Sequence, residues 1–76
     1  MNNQRRKQIK ELAGKLDDLK NEVENLRDEE QEYRDNMPEN MQSSERADAA
    51  DNAISELENA MSSLDDAIAG LENAAE

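Results

Sequence analysis

The chain has 76 residues, with 20 acidic against 9 basic side chains and a formal net charge of -11. It has no Cys and no His, which removes disulfide support and the usual ligands of structural zinc or haem, so no metal and no cofactor is expected. One Tyr with no Phe or Trp gives no platform on which bases could stack, and a strongly negative surface repels phosphate, so no direct nucleic-acid binding is expected.

At the N-terminus, Asn2-Asn3-Gln4-Arg5-Arg6-Lys7 comes after Met1 without an apolar stretch; no secretory signal is read there, and a cytoplasmic location is the expectation. No apolar run along the chain exceeds three residues, far short of the ~20 of a spanning helix, so no membrane association is expected. The same region carries Arg5, Arg6, Lys7, Lys10 and Lys15 against Glu11 alone, the one basic stretch of an acidic chain. Low hydropathy with high net charge is the compositional mark of disorder, but the apolar residues here keep a helical period, which a solvated coil has no reason to do.

The first helix is predicted over about 4–36. Its apolar residues Ile9, Leu12, Leu16, Leu19, Val23, Leu26, Tyr33 and Met37 step by three and four, with a at 9, 16, 23, 30 and 37 and d at 12, 19, 26 and 33. Only Glu30 interrupts that seam. A turn is expected over about 37–44, where Pro38 disfavours helix at Met37 and removes a backbone donor, while Ser43 or Ser44 can cap the next helix.

The second helix is predicted over about 45–75, with Glu45 and Asp48 suited to its positive end. Ala47, Ala50, Ile54, Leu57, Met61, Leu64, Ile68, Leu71 and Ala75 alternate between a and d without a stutter. Every g position bears alanine: Ala53, Ala60, Ala67 and Ala74. This row widens the apolar stripe beyond what one partner helix covers and lets another helix approach closely, so it is the expected association face. The simpler alternative is that alanine serves helix propensity on a half-exposed edge.

Charge decides how the two halves pair. The first helix has Ala13, Lys20, Arg27 and Arg34 at e; the second has Asp51, Glu58, Asp65 and Glu72. Folding the chain back sets Arg34 against Asp51, Arg27 against Glu58 and Lys20 against Asp65 at a constant sum of residue numbers, as a hairpin requires. Such exposed pairs contribute ~0.2–1 kcal/mol each and select orientation more than they stabilise. The core layers expected from this register are Tyr33 with Ile54, Leu26 with Met61, Val23 with Leu64, Leu19 with Ile68, and Leu16 with Leu71. Residues 1–8 then overhang the far end of the second helix. The fold class is all-α: an antiparallel coiled-coil hairpin, one domain, expected to dimerise as a four-helix bundle because two helices of this size bury little.

Catalytic chemistry finds no foothold in the pattern. Nucleophilic catalysis needs a base beside the nucleophile in a concave site, and the hairpin has no His and no pocket in prospect. The carboxylate runs read as solvated faces, and neither Gly14 nor Gly70 lies in a calcium-loop pattern. Glu30 could fix register or receive an arginine, or simply reach water. Tyr33 is placed in the core; Met41 is the candidate for an exposed apolar tip. The cluster Arg5-Arg6-Lys7 is read as pairing with acidic groups of this chain or a second copy rather than with phosphate.

The turn Met37-Pro38-Glu39-Asn40-Met41-Gln42-Ser43-Ser44-Glu45-Arg46, followed by alanine-rich heptads to Glu76, resembles small acidic coiled-coil proteins of Gram-positive bacteria and their prophages. Those typically carry Leu where this chain has Met41 and Tyr where it has Ala47. The resemblance brings no activity with it; it implies a mobile-element origin and, by analogy, a protein that binds and blocks a host protein. The sequence therefore points to a non-enzymatic interaction protein, a homodimer or larger, with a protein partner. The alternative reading is an acidic nucleic-acid mimic, in which Asp17, Glu24 and Asp28 form the face that enters a basic groove.

Overall fold

In a computed structural model describing all 76 residues, Asn2 starts the first helix by accepting the Arg5 N–H on its side-chain oxygen at 2.7 Å. Helix α1 runs Asn3–Asp35 and ends at Asn36, whose N–H donates to the Glu32 carbonyl at 3.0 Å. Pro38 takes φ -58 and ψ 151, an extended conformation that turns the chain out of the helix. A single 3-10 turn, Glu39–Met41, carries it across. Ser44 then caps α2, Glu45–Ala74: its Oγ accepts the Ala47 N–H at 3.2 Å while donating to the Met41 carbonyl at 2.6 Å. Glu45 and Asp48 lie in the first turn of α2, against the positive end of its dipole.

The two helices lie antiparallel in a rod with Cα extents of 60 × 14 × 12 Å. Register keeps the expected constant sum: Lys20 Nζ lies 2.6 Å from Asp65, and Arg34 Nε lies 2.8 Å from Asp51. Arg27 does not join them. Its guanidinium turns to Asp28 at 2.8 Å and Glu24 at 3.9 Å on its own helix, leaving Glu58 without it. A carboxylate on the next residue competes at lower entropic cost than one across the groove.

The helices do not meet on equivalent faces. On α2 the inward residues are the a and d set, with Ala47, Ala50 and Ile54 buried and Leu57, Met61, Leu64, Ile68 and Leu71 half-buried. On α1 the inward residues are a and e: Ile9, Leu16, Val23 and Glu30 alternate with Ala13, Lys20, Arg27 and Arg34. The d residues Leu12, Leu19, Leu26 and Tyr33 stay between 49% and 55% exposed, against the expectation that they would form the core layers. The reason is steric and electrostatic together. Ala13 is small enough to press against α2, and the aliphatic stems of Lys20, Arg27 and Arg34 pack inward, leaving side-chain exposures of 26%, 27% and 18%.

Packing is tightest beside the turn. Met37 fills the space over Ala47 and Ala50, which are 0% and 2% exposed, to give the only cluster of buried apolar side chains. At the opposite end Ala13 and Ala75 are buried. Between these ends the seam is a single row of half-covered side chains, so the isolated hairpin removes little apolar area from water.

Candidate functional site

Around a helix in heptad notation, e and d lie on opposite sides of a. In an antiparallel pair, e faces e along one edge and g faces g along the other. The ion pairs Lys20–Asp65 and Arg34–Asp51 mark the first edge. The exposed d row of α1 must then border the second, where α2 carries its alanines. A shallow depression by the turn agrees: it brings Tyr33 together with Glu29 and Arg46, the g residues of the two helices. Ala13 lines a depression with Glu72 on the other edge.

Two rows thus join into one surface. Leu12 stands level with Ala74, Leu19 with Ala67, Leu26 with Ala60, and Tyr33 with Ala53, again at a constant sum of residue numbers. Ala60, Ala67 and Ala74 are exposed and Ala53 is half-buried. From residue 12 to residue 33 the stripe is ~31 Å long at 1.5 Å per residue. Large side chains from one helix stand beside small ones from the other, so the stripe has a ridge and a shelf. Sequence reasoning found the alanine shelf but assigned the ridge to the core. The signal it lacked was the inward turn of the e-position cations.

Asp17 and Asp28 are exposed and Glu24 is half-buried, but Arg27 engages both Glu24 and Asp28, so two of the three carboxylates of the proposed decoy face are partly neutralised within the chain. Met41 is half-buried where an exposed tip was expected, because the 3-10 turn folds it back; its backbone takes part in the Ser44 cap. Met37 is in the core, as its a position in the seam predicts, whereas Tyr33, expected in the core, lies outside. Glu30 is half-buried and makes no ion pair.

Arg34 is the organising residue of the turn. Besides Asp51, it donates to the Gln42 carbonyl at 3.2 Å and to the Gln42 side-chain oxygen, while the Gln42 amide donates to the Met37 carbonyl at 2.7 Å. The fork geometry of guanidinium allows these contacts at once. Gln42 has no heptad role and gave no signal in the sequence. Lys20 shows the one displaced titration: its hydrogen bond to Asp65 raises its pKa above the ordinary lysine value, with desolvation opposing and Asp65, Asp17 and Glu24 charges assisting. No set of three or more carboxylates converges on a metal-sized site, and no helix is long and apolar enough to cross a membrane. No protein-family model, no curated protein and no solved structure matches the chain.

Proposed function

We propose that this chain is a non-enzymatic interaction protein that works by laying its apolar stripe against another polypeptide, and that hairpins so paired form a four-helix bundle. The observation carrying this reading is the exposure of Leu12, Leu19, Leu26 and Tyr33 at four successive heptads, beside a row of alanines. Isolated exposed leucines are ordinary on a protein surface; a continuous row of them on one edge is the mark of a surface meant to be covered. A protein partner in the cell, held and blocked by this stripe or by the assembly it builds, is the biological role this implies, in line with the mobile-element resemblance of the turn and its heptads. The acidic-decoy reading draws on the net charge of -11, but Arg27 already occupies Glu24 and Asp28. Apolar recognition is therefore preferred.

The test compares two variants in capture of partner protein from the native cell. Leu19→Glu with Leu26→Glu should abolish capture, and binding to the unmodified chain should change little between low and high salt. If capture instead survives the leucine changes, falls with salt and is lost on reversing Asp17, Glu24 and Asp28, the decoy reading takes its place.

A further inference from the structure

We infer that the occupant of the stripe is a second copy of this chain lying antiparallel to the first, an inference that rests on the stripe being a docking surface and adds what covers it. Area is the first argument. The hairpin exposes 5589 Å², whereas a compact monomer of 8.6 kDa exposes ~4,700 Å² by the usual size scaling. The excess, ~900 Å², is close to the ~800 Å² that each partner covers in a stable interface.

Charge sets the direction. Of the nine cations, Lys20, Arg27 and Arg34 are paired within the chain, whereas Arg5, Arg6, Lys7, Lys10, Lys15 and Arg46 are in no ion pair. Five of these six lie at the open end, where residues 1–18 and 68–76 set Arg5, Arg6, Lys7, Lys10 and Lys15 against Glu11, Asp17, Asp18, Glu72 and Glu76, so that this end carries no net side-chain charge. The turn end carries Glu29, Glu30, Glu32, Asp35, Glu39, Glu45 and Asp48 against Arg34 and Arg46. Copies side by side in the same direction would bring the two strongly acidic turn ends together. Turning one copy end for end sets each acidic turn end on an open end whose cations and carboxylates balance.

The same rotation aligns the stripes. With the two-fold axis midway between Leu19 and Leu26, α1 stacks on its counterpart, Leu19 meets the partner's Leu26, and Leu12 meets the partner's Tyr33. On the other side Ala60 meets the partner's Ala67, and alanine allows those helices to close up. Lys15, on the rim of the stripe, comes level with the partner's Glu29. Glu22 meets the partner's Glu22 at the axis, a like-charge contact the arrangement has to tolerate.

Light scattering and sedimentation on the full chain test this. At micromolar concentration the mass should be that of two chains, and Leu19→Glu with Leu26→Glu should weaken the dissociation constant by more than about 100-fold while helicity is kept. Direction is read by mixing single-cysteine variants under oxidation. Leu12→Cys with Tyr33→Cys should cross-link between chains faster than Leu12→Cys with Ala74→Cys. The reverse preference overturns the antiparallel arrangement, and a monomer at every concentration overturns the inference outright. A monomer that still loses partner capture on the leucine changes leaves the docking surface standing with a foreign occupant; loss of neither property removes both.

Discussion

Replacing Arg34 by Met keeps the aliphatic stem and removes the fork that ties Asp51, Gln42 and, through Gln42, Met37 into one turn. The ion pair with Asp51 contributes ~0.2–1 kcal/mol at this exposure. The two hydrogen bonds to Gln42 add ~0.5–0.7 kcal/mol each, the low end of the range, because Gln42 is exposed and water can replace them. The expected loss is therefore ~1–2.5 kcal/mol. For a chain of this size each kcal/mol moves the midpoint by ~4–8 °C, so the thermal unfolding midpoint read by circular dichroism should fall by ~4–20 °C at fixed protein concentration. Arg34→Lys keeps the charge and a single contact and should lose about half as much. Lys20→Met, which removes one single-contact pair, should cost less than either. If Arg34→Met is no more damaging than Lys20→Met, the turn is not held by the guanidinium and the reasoning fails.

Other perturbations read other parts of the molecule. Ala47→Leu introduces methylenes where no space exists, since Ala47 is 0% exposed, and should cost ~1–3 kcal/mol in urea unfolding. Ser44→Ala removes the cap on α2 and should cost ~0.5–2 kcal/mol by the same measurement. Gly14→Ala meets nothing within 4 Å, sits in a helix at negative φ, and should stabilise by ~0.5–1 kcal/mol. Because the folded-state pKa of Lys20 is raised, its contribution is complete below the ordinary lysine range and is lost as pH climbs through the raised value. Stability of the native chain should therefore fall faster with alkaline pH than that of Lys20→Met, and equal slopes would contradict the assignment.

The hairpin, its ends and its register were legible because each rests on local chemistry. Ser44 caps where a short polar side chain precedes helical periodicity, Pro38 breaks the path, and opposite charges at Lys20, Arg34, Asp51 and Asp65 admit one alignment. The rotation of α1 about its own axis was not legible. Heptads put Leu12, Leu19, Leu26 and Tyr33 on the seam, and within the single hairpin the balance tips to Ala13 and the cationic stems instead. A pattern written for a full coiled coil becomes ambiguous when it has more apolar positions than one neighbour can cover. Arg27 was missed for a related reason: heptad bookkeeping weighs cross-helix partners and ignores the adjacent Asp28. Gln42 acts only through the folded turn, and no periodicity announces it.

Central to this picture is that the row ending in Tyr33 lies outside the hairpin and is covered by association. Tyr33 is the only aromatic residue, so its fluorescence reports on that row in the unaltered protein. Acrylamide quenching should be strong in dilute solution, where Tyr33 is 49% exposed, and should fall as protein concentration rises and copies cover the stripe. Quenching that is weak at every concentration would place Tyr33 in the hairpin core, and quenching that stays strong at every concentration would leave the stripe uncovered; either result contradicts the account.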